Sequence, residues 1–453
     1  MKVSSAGLSR GEVIDRAELY AWHHGAVDSA YWERGHKVIV RGEGIYVWDV
    51  DGHRLIDGTS GQATVLIGHG RREMAEAMAR QATTLAFSPM AFGFTHPVAG
   101  LLGERLAQLT PGSLMRCWFA SSGAEAVEAA VKIARQAQHL RGEARRYKVV
   151  ARRGGYHGAT AGALAATATT RLRVPAEPIC SGFLHVEQPY TTACRFCKGG
   201  PCTLECADDL EQTIIFEGPE TVAAFIAEPI ATPETIKIPP PGYWEKIQRI
   251  CATYGVLLIA DEVLVGFGRS GRMFASEHFD LRPDIMTVSK GLASGYVPIS
   301  AAIATEELAA LFYEPRRALQ HAGTYSGHPV ACAAALCNLD ILEREQLPAN
   351  ARLQGQRLAQ SLRDLTQLDF VHAVNIAGLL VGVELRVGDE RFDVNRIGPF
   401  IREWCYQHGL ICRFTSPSIM LYPPLIVSDS QTNEIAEILL EAFDAARAVA
   451  HVA

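Results

Sequence analysis

Short apolar runs alternate with helical segments between about residues 116 and 304, and this alternation restricts the fold more than any other feature of the chain. The runs have the length of buried strands, and the segments between them show the apolar spacing of helices. Such a pattern predicts an α/β fold in which helices flank a mostly parallel sheet. The predicted strands are 115–120, 148–151, 222–227, 256–260, 285–288 and 299–303.

The rest of the chain predicts a smaller α+β domain. The chain has 453 residues, which is more than a single core usually supports. We expect an N-terminal segment with a hairpin (1–70) that belongs with a C-terminal small domain (337–453), and a large domain (71–336) between them. Asp51-Gly52 marks the hairpin within 38–57. The other predicted elements are helices at 72–85, 100–109, 338–345, 351–365 and from Asp429 onward, and strands at 371–374 and 379–385.

The segment 16–32 is rich in Trp, His and Tyr. We expect it either to lie over a pocket or an interface, or to form an N-terminal helix packed on the core.

Charge and composition indicate a small-molecule partner. The formal net charge is −6, without a long run of like charge, so no feature favours nucleic acid or an anionic membrane. No apolar run approaches the roughly 20 residues of a membrane span. The first ten residues lack the apolar core of a secretory signal. We predict a cytoplasmic protein whose eleven cysteines are reduced thiols.

Polar side chains follow five of the predicted strands. In open α/β sheets, ligands bind beyond the carboxyl ends of the strands, so the residues after each strand are the candidates for chemistry. They supply hydroxyl, aromatic, carboxylate and amine groups to one edge of the predicted sheet. The stretches are 121–125, 154–158, 228–229, 261–262 and 289–290.

Lys290 and Asp261 are the main candidates. Lys290 follows a buried run and precedes Gly291, which lets the backbone turn close to whatever the lysine touches. The alternative is a hydrated surface lysine. Asp261 ends the run 256–260, and a carboxylate at such a depth needs a cation or hydrogen bonds. A protonated heterocyclic nitrogen would serve; the alternative is that loop amides satisfy it.

Ser122 and Glu125 have capping-box spacing at the start of a predicted helix. The free N–H groups and the positive end of the helix dipole make that start a seat for phosphate, and Gly123 lacks the side chain that would keep an anion away. The alternative is an ordinary capped helix. Tyr156 offers a ring that could stack on a flat cofactor, or simply pack in the core.

A second motif points to a different class. Gly266-Phe267-Gly268-Arg269-Ser270-Gly271 matches the dinucleotide fingerprint literally, which would suggest a nicotinamide-dependent dehydrogenase. The motif lies in mid-chain and no clear helix follows it. A match without the strand and helix context is weak.

Four ordered motifs are similar to those of the class III (omega) aminotransferases, which are pyridoxal-phosphate enzymes of fold type I. The similarity extends over about 38–425, and in it the GFGRSG segment is a family loop. The resemblance implies an enzyme that moves an amino group from an amine or amino acid to a ketone or aldehyde in two half-reactions, through pyridoxamine phosphate. The motifs are Gly155-Tyr156-His157-Gly158, Ile259-Ala260-Asp261-Glu262-Val263, Val288-Ser289-Lys290-Gly291 and Thr324-Tyr325-Ser326-Gly327-His328-Pro329.

The resemblance also implies roles for single residues. Lys290 would form the Schiff base with the cofactor and move protons, and Asp261 would keep the pyridine nitrogen protonated. Thr324 would come from the neighbouring subunit of a homodimer with shared active sites. Arg413 and Tyr156 would meet the substrate. The implied cofactor-binding residues are Ser122, Gly123, Ala124, Tyr156, His157, Glu228, Asp261, Val263, Lys290 and Thr324.

The substrate is less constrained. Arg413 matches a mobile arginine that receives a carboxylate, although 414–418 lacks the usual glycine; the alternative is a surface arginine. The stretch 230–233 replaces a glycine-rich one. The default is an ω-amino acid or amine with pyruvate or another 2-oxo acid. Alternatives are a sugar or other natural-product carbonyl, an aminomutase or decarboxylase of the same fold, and a non-catalytic scaffold.

Four cysteines lie within thirteen residues: Cys194, Cys197, Cys202 and Cys206. Their thiolates could hold zinc or an iron–sulfur cluster. The alternative is a surface insertion of reduced thiols, and the sequence leaves the metal unknown.

Overall fold

The computed structural model describes residues 9–22, 37–190, 194–198, 200–314 and 317–450. Its strands form three sheets. In chain order they are β1 Ile39–Glu43, β2 Tyr46–Asp49, β3 Arg54–Ile56, β4 Leu114–Ala120, β5 Lys148–Arg152, β6 Phe183–Val186, β7 Val222–Ala227, β8 Leu257–Asp261, β9 Ile285–Val288, β10 Ser300–Thr305, β11 Val371–Ala377, β12 Leu380–Leu385, β13 Arg413–Thr415 and β14 Ser418–Leu421.

The central sheet has the strand order β4-β10-β9-β8-β7-β5-β6. All six strands predicted for it are present, and β6 is an additional edge strand with one buried residue. The four pairs from β6 to β9 are parallel, which confirms the mostly parallel sheet. β10 is antiparallel to both β9 and β4. Only residues 289–299 join β9 to β10, fewer than the dozen or more that a parallel crossover needs.

Because β10 runs opposite to both of its neighbours, β4 and β9 point in the same direction. The carboxyl ends of β4, β5, β7, β8 and β9 therefore meet at one edge of the sheet. Both faces of the sheet are buried. On β7, Ala224 and Ile226 pack with helix Gly123–Leu140, whereas Phe225 and Ala227 pack with helices on the other face.

The helices predicted at 72–85, 100–109, 351–365 and from Asp429 onward begin and end within four residues of their predicted positions, whereas the helix predicted at 338–345 begins nine residues earlier, at Pro329. The α-helices are Arg10–Tyr20, Ser60–Ala63, Arg72–Thr84, Pro97–Leu109, Gly123–Leu140, Ala161–Ala166, Thr170–Arg173, Glu205–Glu217, Tyr243–Tyr254, Glu306–Ala310, Pro329–Arg344, Leu347–Leu362, Val394–Gln407 and Asp429–Ala450. Short 3₁₀ helices are Val174–Ala176, Pro219–Thr221, Ala275–Phe279, Lys290–Leu292 and Arg363–Gln367.

The N-terminal sheet β1-β2-β3 contacts the C-terminal part of the chain. The Asp51-Gly52 turn joins β2 to β3, as predicted. The N–H of Ile56 donates to the Gly409 carbonyl at 2.7 Å, and the N–H of Tyr422 donates to the Gly58 carbonyl at 2.7 Å. The C-terminal sheet has the order β11-β12-β14-β13. The three-part division of the chain stays a prediction, and helix Pro329–Arg344 crosses its boundary at 336/337.

The predicted segment 16–32 lies partly outside the described residues, which omit 23–36. In its described part, the side chains of Tyr20 and Trp22 are exposed rather than packed on the core. Within the described parts of the chain, no helix is long and apolar enough to cross a membrane. The cytoplasmic location stays a prediction.

Candidate active site

Loops from three strand ends approach each other closely at the carboxyl edge of the sheet. A Cβ placed on Gly123 would lie 2.8 Å from Cγ1 of Val263, and one placed on Gly158 would lie 2.6 Å from Cβ of Ala124. Both distances are too short for real carbon contacts, so glycine is required at both positions. The glycines thus bring together the loops that follow β4, β5 and β8.

The start of helix Gly123–Leu140 is an anion seat. Ser122 is its N-cap, and the Ser122 Oγ accepts a hydrogen bond from the Glu125 N–H at 3.3 Å. The N–H groups of Gly123 and Ala124 have no acceptor among the described residues. The capping-box spacing is realised only in part, because the Glu125 carboxylate accepts from the N–H of Ser121, at 2.8 Å, rather than from that of Ser122. Two free N–H groups and the helix dipole therefore face the site.

Lys290 begins the 3₁₀ helix after β9, with a left-handed backbone φ of 35°. Lys290 is half-buried. Loss of hydration on burial, followed by the positive charge of Arg413, lowers the pKa of Lys290 to about 8, and the charge of Asp261 opposes this shift. This is the environment of a reactive amine rather than of a hydrated surface lysine.

The Asp261 carboxylate is buried and fixed on both oxygens. Its Oδ1 accepts from the Val263 N–H and from the Thr287 hydroxyl, each at 3.0 Å. Its Oδ2 lies 2.7 Å from Nδ1 of His157, whose ring is fully buried. A carboxylate held in this way can present its charge to a further cationic group without moving.

Glu228 connects two of the predicted residues. Its Oε1 accepts from the Tyr156 N–H at 3.0 Å, and its Oε2 lies 3.8 Å from Nε2 of His157. Burial would raise the pKa of Glu228, but the charges of His157 and Arg152 outweigh that effect and lower it. Glu228 is thus an ionised partner of the loop that carries Tyr156 and His157.

The other predicted residues lie around this centre. The Tyr156 side chain is partly exposed at the site, and Val263 contacts the Gly123 turn. Arg413 lies on β13 with an exposed side chain, close enough for its charge to act on Lys290. Thr324 is exposed on a loop before helix Pro329–Arg344. The roles of these residues stay predictions.

The GFGRSG segment is not a nucleotide-binding turn. It forms consecutive turns followed by the 3₁₀ helix Ala275–Phe279, so no α-helix begins there. Arg269 in this segment is fully buried, and its guanidinium donates to the Pro423 carbonyl and, at 3.2 Å, to the Ser60 hydroxyl. Through these hydrogen bonds, the segment connects the loops after β8 to residues near the N- and C-terminal parts of the chain.

The cysteine cluster has two buried thiols, Cys194 and Cys206, and two partly exposed ones, Cys197 and Cys202. Burial, with the other three thiols nearby, raises the pKa of Cys206 to about 12. Outside 191–193, 199 and the other undescribed residues, no group of three or more His, Cys, Asp or Glu side chains is placed to hold a metal ion. The reduced-thiol interpretation stays a prediction.

Comparison with known proteins identifies the family. The model of the class-III aminotransferases matches residues 30–443. The chain is a class III aminotransferase. A probable aminotransferase of Mycobacterium tuberculosis is 39% identical over 89% of both chains, and a putrescine–pyruvate aminotransferase of Pseudomonas aeruginosa is 33% identical over 91% of both. An (S)-enantioselective omega-transaminase of Thermomicrobium roseum has a TM-score of 0.92 and 39% identity, covering 96% of this chain and 98% of that one.

This aminotransferase has fold type I and uses pyridoxal 5′-phosphate. Its site fits the cofactor at three points: the free N–H groups at Gly123 and Ala124 suit a phosphate, the buried Asp261 carboxylate suits a protonated ring nitrogen, and the low pKa of Lys290 suits a carbonyl-trapping amine. The three groups lie on loops that contact each other.

Sequence reasoning missed Arg152 and Thr287. Thr287 lies within β9 and Arg152 is the last residue of β5, and both are fully buried. A signal for Arg152 was present, because an arginine at the end of a buried strand is as unusual as the aspartate at the end of β8. The signal was weak for Thr287, since threonine is common in strands.

The low pKa of Lys290 predicts the pH dependence of cofactor uptake. In the apoenzyme, the rate of covalent uptake of pyridoxal phosphate should rise with pH and level off above about 8, rather than near the usual lysine value of 10.5, because only the neutral amine attacks the aldehyde. Stopped-flow absorbance of the yellow product at a series of pH values measures this. Arg413→Met should move the midpoint upward. A midpoint near 10 in the unaltered chain would contradict the prediction.

Proposed function

We propose that this aminotransferase moves the amino group of a small amine or ω-amino acid to pyruvate or another 2-oxo acid. The observation that carries the proposal is Arg413, whose guanidinium acts on Lys290 and has no carboxylate partner among the described residues. A guanidinium in that position can receive the carboxylate of a 2-oxo acid. The putrescine–pyruvate aminotransferase among the relatives, with its pyruvate acceptor, supports this choice.

The strand that carries Arg413 is anchored. Arg413 pairs with Met420 of β14, and the ring of Phe414 lies against Gly398, where a Cβ would be only 2.1 Å from it. The Arg413 Nε donates to the Thr415 hydroxyl at 2.8 Å, and the side chain is otherwise exposed. Because the backbone is held in this way, the guanidinium moves by rotation of the side chain. Such rotation does not require a flexible glycine after Arg413.

The roles we propose follow the geometry of the site. When bound, pyridoxal phosphate stabilises negative charge on the carbon that carries the amino group. Lys290 takes a proton from the substrate Cα and returns it to the cofactor carbon, for which a pKa of about 8 is well matched. Asp261 holds the proton on the ring nitrogen. The N–H groups of Gly123 and Ala124 hold the phosphate, and Tyr156 and Val263 enclose the ring.

Arg413→Met should lower activity with a carboxylate-bearing acceptor but not with a neutral one. We expect kcat/KM for pyruvate to fall roughly 10- to 100-fold, the value of a hydrogen bond between charged groups, while a neutral aldehyde acceptor is little affected. The measurement is the second half-reaction, starting from the aminated enzyme, with each acceptor in turn. Arg396→Met, at an exposed position on the neighbouring helix Val394–Gln407, is a control for loss of a surface arginine. Equal losses with both acceptors would remove Arg413 from carboxylate binding.

We also propose a homodimer in which Thr324 completes the phosphate site of the partner. The support is an exposed apolar patch beside Thr324, formed by Phe87, Met90 and Tyr325, with the rings of Phe87 and Tyr325 6.1 Å apart. Light scattering should give about twice the chain mass of 49.2 kDa.

Complementation tests the shared site. If Thr324 contributes to cofactor binding, a dimer of one Lys290→Ala chain and one Thr324→Val chain has an intact site only when Thr324 acts on the partner. Purified mixed dimers should then hold about half the cofactor of the unaltered dimer with unaltered affinity. No tight cofactor binding in the mixed dimer would place Thr324 in its own chain's site. Unimpaired cofactor binding by the Thr324→Val homodimer would show that Thr324 contributes to neither site.

A further inference from the structure

Four buried ionisable side chains behind the cofactor site form a row of alternating charge. Arg152 Nη2 lies 3.4 Å from Oε2 of Glu228 and also donates to the Glu228 carbonyl. Glu228 Oε2 lies 3.8 Å from Nε2 of His157, and His157 Nδ1 lies 2.7 Å from Oδ2 of Asp261. The row therefore runs from Arg152, at the end of β5, to the carboxylate that faces the cofactor.

Arg152 has few other partners. Its side chain is fully buried, and its Nε and Nη1 have no hydrogen-bond acceptor among the described residues. The guanidinium lies over the rings of Trp244 and Tyr243, at 5.4 and 6.0 Å from their centres. Cation–π contact compensates part of the cost of burial, but a buried arginine still requires a counter-charge. Glu228 is the only carboxylate that pairs with it among the described residues.

We propose that Arg152 is a positioning residue for the cofactor's ring nitrogen, acting through Glu228 and His157 on Asp261. Arg152 keeps Glu228 ionised, and ionised Glu228 keeps the His157 ring protonated. Protonated His157 donates to Oδ2 of Asp261 and makes that carboxylate a weaker base, so the shared proton stays on the ring nitrogen. The inference rests on the proposed role of Asp261.

The pKa directions agree with this chain of effects. Burial would lower the pKa of His157, but the charge of Glu228 and the hydrogen bond and charge of Asp261 raise it. Arg152 itself opposes the rise at His157, so its help must come through Glu228. Other titratable groups that act on this row are His185, beside His157, and Lys290 and Glu262, which interact with Asp261.

The test compares Arg152→Met with Arg146→Met. Arg146 lies two residues before the start of β5 and donates to three backbone carbonyls, so its loss controls for removal of a structural arginine close to the same strand. In apoenzyme with ¹⁵N-labelled histidine, NMR titration follows His157, identified by its absence in His157→Asn. We expect the His157 pKa to fall by about one unit or more in Arg152→Met, a tenfold change in proton binding, and to stay unchanged in Arg146→Met.

A second readout uses the loaded enzyme. At the same pH, the ¹⁵N chemical shift of the cofactor's ring nitrogen should lie closer to that of an unprotonated pyridine in Arg152→Met than in the unaltered enzyme, because the shared proton moves toward Asp261. Arg152→Lys should restore the unaltered shift. If Arg152→Met does not fold, Glu228→Gln replaces it, with the same expected fall at His157. Unchanged His157 titration in the folded variant would overturn the inference without affecting the role of Asp261. A changed His157 pKa together with an unchanged ¹⁵N shift of the ring nitrogen would show that the row does not act on the cofactor. That result would also overturn the inference.

Discussion

Lys290→Ala should abolish transamination, lowering kcat by roughly 10³-fold or more, because no other amine can take over its proton transfer. Among the described residues, Lys290 is the lysine at the carboxyl edge of the sheet whose pKa falls to about 8, and the strand end places it beside Asp261. Chromatography of the amine and ketone products measures multiple turnovers. Borohydride reduction and peptide mapping should place the reduced pyridoxyl group on Lys290 in the unaltered enzyme.

Lys246→Ala is the matched control. Lys246 lies on helix Tyr243–Tyr254 and pairs with Asp208 at 2.6 Å, on a helix that packs behind the sheet. Its loss should leave turnover and the pyridoxyl label on Lys290 unchanged. Sustained multiple turnover by Lys290→Ala, with product formed in excess of enzyme, would contradict the assignment of Lys290 as the essential amine.

The positions of the proposed catalytic side chains could be predicted from the sequence because they depend on local features. Lys290 and Asp261 each follow a short apolar run, and parallel strands place their carboxyl ends at one edge. The phosphate seat was likewise predictable, since Ser122 and Gly123 carry the signals of a helix start within a few residues. To place these groups at one edge, the prediction only had to assume that the strands are parallel.

The partners of those side chains could not be predicted, because they come from distant parts of the chain. His157 and Asp261 are separated by 104 positions, and Arg152 and Glu228 by 76. No local pattern records such a pairing. The capping box is realised only in part for a related reason: the Glu125 carboxylate can reach two neighbouring N–H groups, and the spacing does not distinguish Ser121 from Ser122. The strand β6 was also missed, although three of its four residues are apolar; its edge position leaves only Val186 buried.

Asp261→Asn should reduce kcat roughly 10²- to 10³-fold, while the protein still folds. Asparagine can accept the hydrogen bonds from the Val263 N–H and the Thr287 hydroxyl, but it brings no charge. Removing one partner from a buried ion pair costs about 3–5 kcal/mol, and here the uncompensated charges are His157 and the ring nitrogen. The His157 pKa should therefore fall, and the ring nitrogen should lose its proton near neutral pH. Rapid-quench measurement of the first half-reaction and the ¹⁵N shift of the ring test both effects.

Asp284→Asn provides the control for this change. Asp284 precedes β9 at the opposite edge of the sheet, and its carboxylate accepts from the Leu258 N–H at 2.7 Å. The same replacement of carboxylate by amide there should affect stability without changing the ring nitrogen or the half-reaction. If Asp261→Asn reacted at the rate of Asp284→Asn and kept its ring nitrogen protonated, the carboxylate would not be the group that makes the cofactor an electron sink. In that case the row of charges from Arg152 to His157 could not influence the protonation of the ring nitrogen through Asp261.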